Sequence, residues 1–379
     1  MALWWGILGA LLAPVLPGYG LPVLLAALVT AAPLFLFLRM RAAGDYPSAA
    51  VRLWIFRPFL YVQLGLPMIA AGGALGSLAG APFGAAGATG RWALLIAASG
   101  FVLAAIAGYL GSRWLRVKEL EASFPDLPDG LEGMRIVQIS DLHVGPHTSR
   151  GHLAAVARAV RNARPDLLAI TGDQVDDYAR DVTYFAGAFA DLAAPLGVFA
   201  IPGNHDVYAG WGAVRVGLEA MGITVLVNEA VEVRRGEGRF WLAGTGDPAG
   251  RRGTDVAPDL VRTLARVPEG AFTIALAHNP ALWPALAKRG VHLTLSGHTH
   301  YGQLSVPWLG WSLATPFLEH AMGAHRLGDS LLYINPGTNS WGLPFRIGAL
   351  PEVTVVTLRR SPVPRSTMTS HETDLLRDS

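Results

Sequence analysis

A chain of 379 residues has room for a globular domain of ordinary size and for something more. Its composition, 51% hydrophobic with only 15% charged residues, is too apolar for a surface that meets water everywhere. A net charge of +2 supplies no strong basic field for nucleic acid, and the absence of cysteine excludes disulfides, thiolate metal sites and a cysteine nucleophile.

The apolar excess lies before residue 115, in blocks 2–38, 54–79 and 92–112. The last two are each long enough to cross the hydrocarbon core. The first is interrupted by Pro17-Gly18-Tyr19-Gly20, so residues 1–115 read as a membrane anchor of three or four helices. The start lacks a basic stretch and further apolar blocks succeed it, which argues against a cleaved signal peptide. Arg39, Arg41, Arg52 and Arg57 flank the second block, and Arg113, Arg116 and Lys118 come after the third. Only Arg91 lies between them, so the positive-inside rule puts the chain beyond residue 115 in the cytoplasm. Gly72, Gly73, Gly76 and Gly80 allow close helix packing. The preference for Arg over Lys, with abundant Ala and Gly, reads as a GC-rich bacterial coding bias.

Residues 116–132, with Pro125, Pro128 and Gly130, read as a linker, and 133–360 as the soluble domain. Strands at 135–140, 166–171 and 197–201 alternate with helices near 149–163, 182–192 and one ending near 221, implying βαβ units. Later segments are strand-rich: 223–227, 231–235, 239–244, 272–277, 292–296, 302–306, 331–335 and 352–358. So many strands predict an α/β four-layer (αββα) sandwich, two sheets face to face with helices outside. The tail 361–379, rich in Ser, Thr and Pro, reads as disordered.

Five short motifs fall just beyond predicted strand ends, where functional groups gather in α/β sheets. They are Asp141-x-His143, Gly172-Asp173-x-x-Asp176, Gly203-Asn204-His205-Asp206, His278-Asn279 and Gly297-His298-x-His300. Asp141, His143, Asp173, Asn204, His278, His298 and His300 offer nitrogen and oxygen only. They are too many for one first-row ion and suit two divalent ions sharing a carboxylate. So much imidazole favours Mn²⁺, Fe or Zn²⁺ over Ca²⁺ or Mg²⁺.

The ordered series resembles the calcineurin-like metallophosphoesterase superfamily. The text around Arg135–His143, Gly302-Gln303 and Pro351–Leu358 is similar to its YaeI/YkuE-type branch, and the resemblance covers roughly 125–360. It implies that Asp141, His143 and His300 hold one ion, that Asn204, His278 and His298 hold the other, and that Asp173 bridges. It further implies in-line attack on phosphorus by a metal-bound hydroxide. His205 is then no ligand but acts at the leaving oxygen, oriented by Asp176. The reaction so implied is hydrolysis of phosphodiester or pyrophosphate bonds on a membrane-associated, lipid-linked substrate, with UDP-2,3-diacylglucosamine one candidate. The rivals are a phosphomonoesterase of the same superfamily and a non-catalytic metal-binding or regulatory module. The expected location is a bacterial inner membrane, with the chain crossing several times.

Two positions depart from the branch. Asp177 stands where many relatives carry Arg, and Tyr301 stands where Gly is common, which predicts a changed pocket wall. His147, His152 and His292 read as solvated or structural. His320 and His325, with Trp308, Leu309, Trp311, Phe317 and Leu318, fall in the interrupted stretch 307–329 and read either as core or as a lipid-gripping insertion. Residues 335–340 read as a turn near the site.

Overall fold

The computed structural model describes residues 48–361 except 146 and 147, together with 9, 18, 32–36 and 38–40. The chain divides into two compact units, Met1–Tyr109 and Leu110–Ser379.

In the first, α1 (Arg57–Gly80) is led in by a π turn, Arg52–Phe56, and followed by a 3₁₀ turn, Ala81–Phe83. α2 (Ala86–Gly111) begins almost at once. Both runs are long and apolar enough to cross a bilayer. The loop expected at 80–91 shrinks to one turn at Gly84, whose left-handed backbone (φ 67°) lets the helix stop and reverse. The glycine pattern serves this pair. A Cβ at Gly72 would come within 2.7 Å of Ala97 Cβ, and one at Gly76 would run into Ala93. Most of block 2–38, and with it any third or fourth helix, lies outside the described residues, as does the tail from 362.

In the second unit, β1 (Arg116–Phe124) occupies the segment expected as a linker. It pairs in parallel with β14 (Glu352–Arg360) and closes one edge of the first sheet. Leu120, Ala122 and Phe124 turn inward while Glu119 and Glu121 face out, giving an alternating strand that its charges disguise. Beyond β14 come β2 (Arg135–Ile139), β3 (Leu167–Ile170), β4 (Val198–Ala200) and β5 (Thr224–Val225), so the order is β1-β14-β2-β3-β4-β5. β2 to β5 run parallel. Their crossovers are α3 (Arg150–Ala163), α4 (Val182–Phe189) and α5 (Asn204–Glu219).

The second sheet contains β6 (Glu229–Arg235), β7 (Gly238–Gly244), β8 (Thr273–Leu276), β9 (Leu293–Ser296), β12 (Gly323–Leu327) and β13 (Ser330–Ile334). Its order is β12-β13-β9-β8-β7-β6. β10 (Ser305–Val306), in the expected strand 302–306, and β11 (Trp311–Ser312), in the stretch read as interrupted, form a separate hairpin. The helices α6 (Leu260–Leu264) and α7 (Trp283–Ala287) lie on this half.

Three apolar clusters separate the layers. Ile136, Leu167, Phe240, Ile274 and Leu293 pack between the sheets. Val156, Val160, Phe185 and Val214 pack helices α3 to α5 on the first sheet, and Ala275, Leu286 and Leu264 cover the second. This is the predicted αββα sandwich.

Candidate metal centre

Each motif comes just after the carboxyl end of a parallel strand. Asp141 and His143 follow β2, Asp173 follows β3, Asn204 opens α5 after β4, His278 follows β8, and His298 and His300 follow β9. The sheets meet at this end, where Gln138 Nε2 on β2 donates to the Ser296 carbonyl on β9 at 2.9 Å.

Five of these residues leave their strands with a left-handed backbone: Asp141 (φ 53°), His143 (42°), Asp173 (53°), His298 (72°) and His300 (50°). Such non-glycine conformations cost on the order of 1–3 kcal/mol each and persist only where the surroundings dictate them. They swing side chains off the strand direction onto one centre. Neighbouring glycines make the room: a Cβ at Gly203 would run into Asp173, and one at Gly297 into Ser140 and Asp141.

The donors converge in two groups. His300 Nε2 stands 3.0 Å from His143 Nε2 and 3.3 Å from Asp141 Oδ1. Asn204 Oδ1 stands 3.2 Å from His278 Nε2 and 2.8 Å from His298 Nδ1. Asp173 Oδ2 faces both groups, 3.6 Å from His143 Nε2 and 3.3 Å from His278 Nε2. The ligand atoms of Asp141, His143 and His300, and those of Asp141, Asp173 and His278, each lie within 4.8 Å of one another. All seven expected ligand residues are thus brought together. An all-nitrogen-and-oxygen set so arranged can hold divalent metal ions.

Hydrogen bonds behind the donors fix their aim. His278 Nδ1 donates to the Thr171 carbonyl at 2.7 Å, leaving Nε2 for an ion. Asp141 accepts from the His298 amide through both oxygens at 3.1 Å. Asp206 accepts from the amides of Gly203 (2.9 Å) and Val175 (3.1 Å), tying the second and third motif loops together. Burial and the nearby Asp173 push its carboxyl up to about 8. Burial and the proximity of His278 pull His298 down to about 4, which suits a neutral ligand.

His205 and Asp176 are brought together too. His205 Nδ1 lies 3.2 Å from Asp176 Oδ1 and 3.1 Å from the Asp176 carbonyl. The same carboxylate oxygen lies 3.3 Å from His143 Nδ1, so Asp176 stands between a ligand and the group expected to act on the leaving oxygen. Burial pulls His205 down, but the Asp176 and Asp173 carboxylates outweigh it and hold the imidazolium up at about 9. Its contribution to the stability of the metal-free fold is therefore complete below pH 6.5 and lost as pH rises through about 9. NMR titration of the metal-free chain should find His205 titrating near pH 9, and Asp176→Asn should bring it down toward 6.5. His205 also has a ring nitrogen within 4.8 Å of ligand atoms on His143 and Asp173, so its charge rather than its distance sets it apart.

Tyr301 is a correction to the sequence reading. It is buried rather than lining the pocket, with its hydroxyl donating to the Ile334 carbonyl (2.6 Å) and accepting from the Gly323 amide (2.9 Å). Tyr301→Phe should lower stability to urea by about 1–3 kcal/mol, because it strands buried backbone groups, while metal content stays unchanged. His152 and His292 are structural, bonded to the Thr338 carbonyl and the Thr273 amide. His320 and His325 pack around Trp283, and His147 lies outside the described residues.

Arg346 is the residue that sequence reasoning missed. Fully buried, it donates to the carbonyls of Pro336 (2.6 Å) and Ala349 (2.9 Å) and to that of Asn339, and its Nη2 lies 2.8 Å from His300 Nδ1. No motif marks it: its near partners are backbone carbonyls, and His300 meets it only in the fold.

Comparison with known proteins gives concordant results. The profile of the calcineurin-like phosphoesterase family matches residues 134–302. An uncharacterized metallophosphoesterase of Aquifex aeolicus is 33% identical over 260 residues, which cover 68% of this chain and 97% of that protein. The metallophosphoesterase YkuE of Bacillus subtilis is 31% identical over 67% of this chain and 88% of its own length. A transmembrane protein with metallophosphoesterase domain from Danio rerio is 33% identical over 65% of this chain, which spans 58% of the fish protein.

Proposed function

This chain belongs to the calcineurin-like metallophosphoesterase family, and on that premise we propose that it is a membrane-anchored hydrolase that cleaves phosphodiester or pyrophosphate bonds with two divalent ions. The observation that carries the reading is Asp173, whose one carboxylate oxygen faces both donor groups. Asp141, His143 and His300 would hold one ion and Asn204, His278 and His298 the other, with Asp173 shared. The ions proposed are Mn²⁺, with Zn²⁺ or Fe as substitutes that the imidazoles also suit. Such a pair supplies Lewis-acid charge at phosphorus and a water of lowered pKa. The protein's own part is to aim the donors through Thr171 and Asp206 and to hold a proton on His205 for the leaving oxygen. Asp176 keeps that proton in place.

The two long apolar helices support a membrane anchor, and the loop charges support several crossings of a bacterial inner membrane with the catalytic domain on the cytoplasmic side. A C-terminal reporter active only outside the cytoplasm would overturn that orientation. An anchored site favours a membrane-associated substrate, and a nucleotide-diphospho-lipid such as UDP-2,3-diacylglucosamine is one candidate. The test is turnover of the full chain, loaded with Mn²⁺, on matched phosphomonoester, phosphodiester and nucleotide-diphospho-lipid substrates. Diester or diphosphate turnover is expected to exceed that of the monoester. A preference for the monoester would replace this reading with a phosphomonoesterase, and no turnover on any would favour a binding module.

A further inference from the structure

The stretch from Tyr301 to Leu318 contains no Asp, Glu, Lys or Arg, although it comes directly after His300. It forms the β10–β11 hairpin, and its large apolar side chains find little protein to cover them: Trp308 is 79% exposed, Leu309 72% and Phe317 80%. Scattered exposed apolar residues are ordinary, but several on one uncharged projection mark a surface made for contact. The projection is also firmly held. Leu313 donates to the Leu304 carbonyl at 2.8 Å, Ser305 to the Ile347 carbonyl at 2.8 Å, and the Ser312 amide to Thr315 Oγ1 at 2.9 Å.

This projection is continuous with the mouth of the metal centre. Gln303, at its base, exchanges two hydrogen bonds with the backbone of Trp341, each 3.0 Å long. The half-exposed Trp341 ring lies 5.8 Å from the His205 ring, and Tyr208 flanks His205 at 5.9 Å. Chain connectivity then limits what the projection can meet. α2 ends at Gly111 and β1 begins at Arg116, a reach on the order of 18 Å even when fully extended. Gly111 itself lies against the Arg346 backbone and the Leu350 side chain, in the same 336–350 segment that carries Trp341 and anchors the hairpin base.

We propose that the 307–318 hairpin and Trp341 form a lipid-contact surface that seats the mouth of the metal centre on the bilayer, so that a phosphate ester can be drawn from a substrate whose apolar part stays in the membrane. The proposal rests on the anchoring reading above. Tryptophan, leucine and phenylalanine on an uncharged loop match the interfacial layer, and tryptophan is the side chain enriched there. A second copy of this chain is the competing occupant.

The absence of cysteine permits a clean test on the full chain. Single variants Trp308→Cys, Phe317→Cys, Leu103→Cys (α2) and Val261→Cys (exposed on α6) are labelled with an environment-sensitive fluorophore. They are reconstituted into phosphatidylcholine–phosphatidylglycerol vesicles with or without brominated acyl chains. The labels at 308, 317 and 103 should shift to shorter wavelength and lose most of their emission to the brominated lipid, while the label at 261 stays unquenched. Quenching at 103 with none at 308 and 317 overturns the lipid surface and leaves the anchor standing. Quenching at 308 and 317 but not at 103 overturns the anchor and leaves the surface standing. Emission at 308 and 317 that responds to protein density but not to bromine makes the surface an interface between copies and overturns the proposal. Quenching at 261 as well overturns its confinement to the hairpin.

Discussion

Asp173→Ala should leave the purified chain without its bound ions and bring turnover to background. Asp173 Oδ2 faces His278 Nε2 at 3.3 Å and His143 Nε2 at 3.6 Å, so one carboxylate offsets charge in both donor groups. Its other oxygen accepts from the His205 amide at 2.8 Å, which places the third motif. Burial works against its ionisation, yet the adjacent His278, His143 and His205 hold the carboxyl well below its usual range. Removing it takes away the one carboxylate oxygen that faces both His143 Nε2 and His278 Nε2, and Asp176, on the other side of His143, cannot replace it. Residues that merely support a metal ligand are worth about 10–100-fold in affinity or activity, and loss of a shared ligand should exceed that. Metal content by mass spectrometry and turnover should fall together, in Asp173→Asn as in Asp173→Ala. A variant that keeps its ions removes Asp173 from the shared position.

His205→Ala should separate the two quantities that Asp173→Ala joins. Turnover should drop by about 10²–10⁴-fold, the usual contribution of a positioned proton donor, while the ions stay bound. The backbone amide that contacts Asp173 survives the substitution, so the metal donors keep their support. The loss should be greatest for substrates with an alkoxide leaving group and small for p-nitrophenolate, which departs without a proton. Equal losses on both would make His205 a stabiliser of charge rather than an acid. Loss of metal would move it into the ligand set with His143 and Asp173, whose ligand atoms lie within 4.8 Å of its own.

Six of the seven donor residues could be read from the sequence because each lies beside a glycine or at i, i+2 spacing after an apolar strand, and His278 because it directly ends one. The folded chain then brings them together through a device the sequence hides, the run of left-handed backbones at Asp141, His143, Asp173, His298 and His300. That same geometry defeated the reading of Tyr301. With φ at 51°, its side chain turns into the core beside Trp283 rather than toward the pocket. β1 was hidden for another reason: Lys118, Glu119 and Glu121 resemble a linker until β14, more than two hundred residues away, pairs with the strand. Arg346 was hidden differently: its carbonyl acceptors Pro336, Asn339 and Ala349 are near it in sequence but carry no signal, and only the fold brings His300 beside it. The sandwich itself was legible because its strands are short apolar runs with regular punctuation, and the tightness of the α1–α2 turn was not.

Metal stoichiometry bears most directly on the two-ion centre. The full chain, purified without added metal, stripped with chelator and then titrated with Mn²⁺, should bind two equivalents. Phosphodiester turnover should be absent in the stripped chain and return as the second equivalent is bound. One equivalent at saturation, or turnover that survives stripping, would contradict a centre built around a shared Asp173.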